Sequence, residues 1–175
     1  MKVSKIAAEM ADREALRDLL YRYCRGIDRC DEEMLRGTYW PDGTDDHIAY
    51  VGPAPEFIDF ALKGLKELMD VTQHLVGNMY IEIDGDRAHT ETYFTVLHRY
   101  KDKAVLGRPA YDMRCGGRYI DVMEKRDDEW RIFNRVTVLD WFREFDDTVD
   151  WSKGFEGAMT QHGLRKPDDR SYKIF

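Results

Sequence analysis

Residues 72–100 read TQHLVGNMYIEIDGDRAHTETYFTVLHRY, and this stretch decides the fold. Apolar and polar residues alternate on both sides of Asp84-Gly85-Asp86, a tripeptide typical of hairpin turns. The alternation predicts two long antiparallel strands, one from Thr72 to Ile83 and the other from Arg87 to Tyr100.

The chain that follows repeats this pattern. Residues 110–125 and 129–142 alternate in the same way and pair across Asp127-Asp128. A Gly116-Gly117 pair inside the third long strand predicts a bulge there. Because a bulge bends a strand and increases its twist, we expect a strongly curved sheet.

The N-terminal third has the periodicity of helices. A first helix is predicted over residues 12–28, with Asp12 as its N-cap. Asp31 is expected to cap a short second helix, and a third helix is expected over residues 55–69. Between them, the segment DDHIAYV at residues 45–51 is interpreted as a short strand bracketed by loops. The apolar stripe of the first helix consists of Leu16, Leu19, Leu20, Tyr23 and Ile27.

The order of these elements predicts the fold class. Helices gathered on one face of a curved antiparallel sheet make an α+β cone around a central pocket. We assign residues 1–143 to this domain. Residues 144–175 are polar with isolated aromatic residues, and we expect them to form a tail that packs on the domain or on a neighbouring subunit.

Length and composition exclude several classes of protein. The 175 residues suffice for one domain, and the net charge is −7, with 27 Lys and Arg against 34 Asp and Glu. An acidic chain without a basic block is unsuited to nucleic acid or anionic membranes. No apolar run approaches the ~20 residues of a membrane span, and the N-terminal segment lacks the apolar core of a signal peptide. Three cysteines without a CxxC pair indicate neither disulfides nor a zinc site. We therefore expect a cytoplasmic protein.

Asp28 and His74 lie at positions where they could take part in catalysis. Asp28 lies at the margin of the first helix's apolar stripe, near the C-terminal end, where the helix dipole disfavours a carboxylate. It either shapes a solvated turn or orients a histidine. His74 opens the first long strand. A lone strand histidine is often a satisfied core or surface group, but an imidazole can also take and return a proton near neutral pH.

Two further histidines are candidates for substrate contacts. His98 ends the second long strand on the same face as Phe94 and Val96. It could donate to a substrate oxygen or be a satisfied strand-end residue. His47 stands in the same relation to the first short strand.

The remaining candidate site residues are Tyr23, Arg135 and Tyr119. Tyr23 lies on the apolar stripe of the first helix, as a core tyrosine or as a phenol that contacts a substrate oxygen. Arg135 lies in the last strand, where it would bind an anionic oxygen if it pointed inward. Both faces of that strand are apolar, so parity does not decide its direction, and the direction of Tyr119 is equally open.

Metal and nucleotide cofactors have little support in the sequence. His89 and Glu91 share one strand face and could mimic part of a facial iron triad. That face continues into Tyr93 and Thr95, however, which indicates a solvent face. Glycine-rich nucleotide motifs and a GxSxG motif are both missing. We expect no cofactor and no metal.

Together these residues make the chain resemble the SnoaL-like branch of the NTF2-like superfamily. The resemblance covers most of the chain in the same element order, and the nearest comparisons are scytalone dehydratase, bile-acid 7α-dehydratase and hexachlorocyclohexane dehydrochlorinase. Four stretches carry it: YRYCRGIDRCD at 21–31, TQHLVGN at 72–78, VLHRYKD at 96–102 and EWRIFNRVTVLDW at 129–141.

The resemblance implies a catalytic dyad. In those enzymes an aspartate that closes the first helix pairs with a histidine at the start of a long strand, and these positions match Asp28 and His74. The tyrosine that precedes the aspartate by five residues in the bile-acid enzyme matches Tyr23. In scytalone dehydratase a tyrosine directly precedes the aspartate, and this chain has Ile27 there. The second histidine of scytalone dehydratase matches His98.

The residues around the implied dyad differ from the family pattern. The pocket asparagine of scytalone dehydratase falls at Tyr119, and its other tyrosine falls near His47. The second pocket aspartate of the bile-acid enzyme falls at Val96, which supplies no carboxylate. The dyad is thus kept while the groups that polarise the substrate change, which disfavours scytalone itself as the substrate.

The resemblance implies a cofactor-independent lyase, a dehydratase that removes a proton next to a carbonyl of a hydrophobic cyclic substrate such as a steroid or polyketide-like ketone. His74, Asp28 and Tyr23 would be catalytic, and His98, Tyr119, His47 and Arg135 would bind substrate. A ketone isomerase on the same dyad, a non-catalytic ligand-binding protein and the small subunit of a ring-hydroxylating dioxygenase are the alternatives. Relatives with the dyad are often trimers, and we expect a homo-oligomer, with a trimer favoured over a dimer.

Overall fold

The computed structural model describes residues 2–105, 107–146 and 163–173. Its elements follow in the order α1 (Lys2–Arg29), α2 (Glu32–Arg36), β1 (Tyr39–Asp46), β2 (Val51–Pro53), α3 (Ala54–Leu68), β3 (Met69–Asp84), β4 (Arg87–Tyr100), β5 (Tyr111–Arg126) and β6 (Glu129–Phe145), with a final 3₁₀ turn at Arg170–Lys173. The tail residues Trp151, Phe155 and Phe175 lie outside the described residues.

One six-stranded sheet forms the wall of the cone, in the order β2-β1-β6-β5-β4-β3. The four long strands pair antiparallel, as the sequence predicts. Strand β1 extends the sheet by pairing parallel to β6, which the alternation pattern could not show. The structure thus has the predicted α+β fold, with three helices against a curved open sheet.

A bulge interrupts the β5–β6 ladder at Gly116-Gly117, where the sequence predicts one. The extra residue lies in the partner strand, because Gly116 faces Trp141 and Gly117 faces Leu139. A Cβ at Gly117 would stand 2.0 Å from the carbonyl oxygen of Val138. The two strands approach so closely here that only glycine fits.

Helix α1 packs the predicted apolar stripe into the core. It begins ten residues earlier than predicted, at Lys2, and the assignment of Asp12 as N-cap is wrong. Asp12 lies inside the helix, where its carboxylate accepts hydrogen bonds from Trp130 Nε1 at 2.8 Å and Lys125 Nζ at 3.0 Å. This contact ties α1 to the sheet. The buried stripe residues are Leu16, Leu19, Leu20, Tyr23 and Ile27.

The other two helices agree with the sequence. Asp31 caps α2 by accepting a hydrogen bond from the Met34 main-chain N–H at 3.3 Å. Helix α3 begins and ends one residue earlier than predicted and buries its apolar face against the sheet. Within the described part of the chain, no helix is both long and apolar enough to cross a membrane.

The expected short strand at residues 45–51 is wrong in its bounds. Strand β1 ends at Asp46, and the chain turns before β2 begins at Val51. The main-chain N–H of His47 donates to the carbonyl of Tyr50 at 2.7 Å and closes this turn. His47 is therefore a turn residue, placed at the edge of the sheet by the register of β1 on β6.

Candidate active site

Asp28 and His74 meet at the point where the end of α1 crosses the start of β3. His74 Nδ1 lies 2.6 Å from Asp28 Oδ1, and the main-chain N–H of His74 donates to Asp28 Oδ2 at 2.8 Å. Both side chains are almost fully buried. One carboxylate thus holds the ring and the backbone of the same residue, which fixes the tautomer with the proton on Nδ1.

The lone pair of that tautomer is on Nε2. Among the described residues, no group hydrogen-bonds to Nε2 of His74. A ring held rigidly through one nitrogen, with the other nitrogen unpartnered in the described part of the chain, has the arrangement that a general base requires.

A residue of the C-terminal segment supports the dyad from behind. Arg165 Nη1 donates to the main-chain oxygen of Asp28 and to Thr72 Oγ1, the latter at 2.7 Å. Burial lowers the pKa of this guanidinium from its ordinary value. A cavity of about 390 Å³, lined in part by Asp28 and Leu164, opens beside it. Arg165 could not be selected from the sequence, because it lies more than ninety residues from both Asp28 and Thr72.

His98 lies next to His74 on the inner face of β4, as the sequence predicts. The two rings meet edge to face with their centroids 5.9 Å apart. Burial, followed by the neighbouring His74, lowers the pKa of His98 to about 3. Its Nδ1 atom is buried without a hydrogen-bond partner in the described structure. His98 is therefore neutral near pH 7, and its unpartnered ring nitrogen could contact a ligand.

Arg135 points inward, which answers the question that strand parity left open. Its guanidinium is fully buried and donates from Nε and Nη2 to the two oxygens of Asp121, at 2.7 and 2.8 Å. Tyr23 and Tyr119 cover its two sides, with ring centroids 4.3 and 4.1 Å from Cζ. Nη1 is buried without a partner in the described residues.

The two tyrosines share this environment. Burial raises the pKa of Tyr23 and of Tyr119 well above that of an exposed phenol, so both keep their O–H proton near neutral pH. The rings meet edge to face with centroids 5.7 Å apart. Because water does not reach these side chains or Arg135, a ligand contacts them only after the rings move apart.

His47 belongs to a third cluster, and its ring centroid lies 6.4 Å from that of Tyr119. Its Nδ1 lies 3.2 Å from Asp45 Oδ1 and 3.1 Å from Thr137 Oγ1. The ring stacks on Phe57 with centroids 4.7 Å apart. The other carboxylate oxygen of Asp45 accepts from the Tyr39 hydroxyl at 2.6 Å.

Sequence reasoning missed Asp45 and Asp121, the carboxylates that hold His47 and Arg135. A signal was available for Asp121, because it shares the parity of Tyr119 and Met123 in β5 and is a charged residue in an otherwise apolar row. Asp45 gave no such signal, because Asp45 and Asp46 are adjacent at the start of the predicted short strand and the sequence does not show which of them is buried.

The structure brings all seven predicted residues to the inner side of the sheet, in three groups. Asp28, His74 and His98 form one, Tyr23, Tyr119 and Arg135 form the second, and His47 belongs to the third. In contrast, His89 is exposed and Glu91 half-buried on the outer face of β4, the solvent face that the sequence indicated. Among the described residues, no three His, Cys, Asp or Glu side chains are grouped to hold a metal ion.

Fold and site together define an α+β cone with buried acid–base pairs. Residues 8–136 match the SnoaL-like domain family, and the chain belongs to that family. A curated relative is an uncharacterized protein of Mycobacterium tuberculosis, 27% identical over 136 residues that cover 74% of this chain and 86% of the relative.

Solved structures show the same fold. Hexachlorocyclohexane dehydrochlorinase (LinA) type 2 superposes with a TM-score of 0.69 at 21% identity, over 78% of this chain and 90% of that one. A protein of Novosphingobium aromaticivorans DSM 12444, provisionally assigned as a scytalone dehydratase, gives 0.70 at 19% identity, over 83% and 93%. A cystatin-like protein of unknown function from Nostoc punctiforme gives 0.61 at 19% identity, over 74% and 92%.

Proposed function

We propose that this protein is a cofactor-independent lyase, a dehydratase that removes a proton next to a carbonyl of a hydrophobic cyclic substrate. The observation that carries the proposal is the double contact of Asp28 with the ring and the main chain of His74, at 2.6 and 2.8 Å. A structural histidine does not need its ring fixed in one tautomer with the second nitrogen left open. A general base does.

His74 Nε2 would remove the acidic proton, and Asp28 would stabilise the imidazolium that forms. The negative charge would then develop on the carbonyl oxygen of the substrate. Arg135 Nη1 is a buried cationic donor without a partner in the described structure, which suits that oxygen. Tyr23, whose raised pKa keeps its phenol protonated, would donate a second hydrogen bond.

The remaining site residues would bind and select the substrate. His98 would offer a neutral imidazole beside His74, and Tyr119 would contribute an aromatic surface. We propose no metal or cofactor, because the carbonyl itself acidifies the neighbouring C–H bond. The same dyad could return the proton to a different carbon, and the product distinguishes this isomerisation from elimination.

We further propose that the protein acts in the cytoplasm as a homo-oligomer, with a trimer favoured, and that residues 144–175 form a tail on residues 1–143. Exposed apolar side chains on the three central long strands support association. They include Tyr93, Ile120, Leu139 and Trp141.

Proton abstraction can be tested before the natural substrate is known. Cyclic ketones such as 3-hydroxycyclohexanone are incubated with the protein in D₂O, and deuterium incorporation next to the carbonyl is followed by NMR. A positioned general base contributes about 10²–10⁴-fold, so His74→Gln should reduce the rate of exchange by at least about a hundredfold.

Two variants serve as controls. His89→Gln alters an exposed histidine of the outer sheet face and should leave exchange unchanged. Asp28→Asn should reduce exchange, whereas Asp18→Asn, on the exposed side of the same helix, should not. Exchange at the wild-type rate in His74→Gln would refute the mechanism, and ligand binding without exchange would favour the non-catalytic alternative.

A further inference from the structure

We propose that His47, held by Asp45, is a second catalytic residue: the general acid that protonates the leaving oxygen. This inference rests on the proposed function, because it assigns the second proton transfer of the same elimination. It makes Asp45, Tyr39 and Thr137 positioning residues.

The Asp45 carboxylate is built into the fold as a rigid acceptor. It is 1% exposed, and its Oδ2 accepts from the buried Tyr39 hydroxyl at 2.6 Å. Its Oδ1 faces His47 Nδ1 at 3.2 Å. A carboxylate has no proton to give, so the proton in this contact belongs to Nδ1.

Three contacts orient the His47 ring. Thr137 Oγ1 lies 3.1 Å from Nδ1 on the neighbouring strand, and Phe57 stacks on the ring with a centroid distance of 4.7 Å. With Nδ1 engaged by Asp45 and Thr137, Nε2 is the nitrogen left for a ligand. The His47 side chain is 26% exposed while Asp45 is fully covered, so a ligand can reach the ring. In both pairs, Asp28 with His74 and Asp45 with His47, a buried carboxylate faces the Nδ1 atom of a histidine ring.

The His47 ring lies beside Tyr119, with centroids 6.4 Å apart, and Tyr119 covers one side of the Arg135 guanidinium. Along the sheet, four strand intervals separate β3 from β1, which is roughly 19 Å at about 4.8 Å per interval. His98 lies within electrostatic reach of both residues, because His74 and His47 each lower its pKa. A substrate bound beside Tyr119 and His98 would be close to both imidazoles.

The charges of the interior favour an additional cation there. Asp28, Asp45 and Asp121 are buried carboxylates, and the one fully buried guanidinium among the described residues, that of Arg135, is committed to Asp121. An isolated buried carboxylate is costly. A protonated His47 would balance Asp45 and would carry its transferable proton on Nε2.

The two pairs complete a balanced elimination. His74 Nε2 takes the proton from the carbon next to the carbonyl, and the C–H electron pair passes to the carbonyl oxygen as an enolate. When the enolate returns this pair, the new C=C bond forms, the bond from the neighbouring carbon to oxygen breaks with its electrons on oxygen, and His47 Nε2–H protonates that oxygen, releasing water. His74 ends protonated and His47 neutral, and exchange with solvent resets both.

Two rates measured on one probe separate this inference from the proposed function. With 3-hydroxycyclohexanone and ring-fused analogues, deuterium exchange next to the carbonyl reports on His74, and the near-ultraviolet absorbance of the conjugated enone reports on elimination. His74→Gln should lower both rates. His47→Gln should lower elimination by about 10²–10⁴-fold and at least tenfold more than exchange, while His89→Gln should change neither.

A second measurement needs no turnover. Ring ¹⁵N chemical shifts distinguish a protonated from an unprotonated Nδ1, and we expect a protonated Nδ1 at His47 that is lost in Asp45→Asn but kept in Asp46→Asn, the adjacent matched control. Thermal unfolding verifies that each variant is folded.

Some outcomes would overturn the assignment. An unprotonated Nδ1 in the wild type, or the same tautomer in Asp45→Asn, would show that Asp45 does not position the ring. Elimination at the wild-type rate in His47→Gln, alongside its loss in His74→Gln, would remove His47 from the mechanism and leave the proposed function standing. Exchange that persists in His74→Gln would refute the proposed function itself.

Discussion

Replacing His98 with leucine should make the protein less sensitive to acid. His98 is mostly buried on β4, and burial together with His74 lowers its pKa to about 3 in the folded protein. In the unfolded chain a histidine titrates near 6.5. Between these two values the unfolded state binds a proton that the folded state does not, so stability falls as the pH falls.

The magnitude follows from the size of the gap. Each pH unit below about 6.5 costs about 1.4 kcal/mol until the folded pKa is reached. At about pH 5 the wild type should therefore have lost about 2 kcal/mol through His98 alone. The direction of this pH dependence is that of a histidine buried in its neutral form. The contribution of His98 to stability is fully present above about pH 6.5 and is lost on acidification towards about pH 3.

Urea unfolding of the wild type and of His98→Leu at about pH 7 and pH 5 measures this effect. The change in unfolding free energy between the two pH values should be about 2 kcal/mol smaller in the variant. Comparing each protein with itself at two pH values cancels any change in packing that leucine introduces. His89→Gln, an exposed histidine on the same strand, should behave as the wild type. Parallel pH dependences in the wild type and His98→Leu would refute the argument that His98 is buried in its neutral form.

Two further predictions concern stability. Gly117→Ala should destabilise the fold by about 1–3 kcal/mol, since the added Cβ meets the main-chain oxygen of Val138, whereas Gly64→Ala, in open space on α3, should stabilise it by about 0.5–1 kcal/mol. Equal effects in chemical denaturation would contradict the close approach of β5 and β6. Asp121→Asn should cost about 3–5 kcal/mol because it leaves the buried Arg135 guanidinium without its counter-ion, and replacing both residues with leucine should recover much of that loss. If the double leucine variant is as unstable as the sum of Asp121→Leu and Arg135→Leu, the two side chains act independently.

The long-strand part of the fold could be predicted because its signals are local. The alternation on either side of Asp84-Gly85-Asp86 specifies two strands and the turn between them, and the Gly116-Gly117 pair locates the bulge. The parallel pairing of β1 with β6 could not be predicted, because those strands are about ninety residues apart and β1 contains a proline and a glycine. A separation of 118 residues hid the contact of Asp12 with Trp130, without which Asp12 resembles a helix cap.

The contact between Asp28 and His74 was suggested by resemblance and could not be derived from spacing. Forty-six residues separate the two side chains, and their 2.6 Å contact depends on how α1 crosses β3. The inward direction of Arg135 was undecided for a different reason. Its strand is apolar on both faces, so the choice depends on Asp121 of the neighbouring strand, and a pattern within a single strand does not contain that information.

The buried carboxylates Asp28, Asp45 and Asp121 have two kinds of partner. Asp121 is held by an arginine, which does not lose its proton, so that pair can stabilise charge on a substrate oxygen but cannot move a proton. Asp28 and Asp45 are held by histidines, which can exchange protons near neutral pH. An elimination next to a carbonyl needs one fixed positive charge, one base and one acid. In the proposed mechanism, Arg135 would supply the charge, His74 the base and His47 the acid.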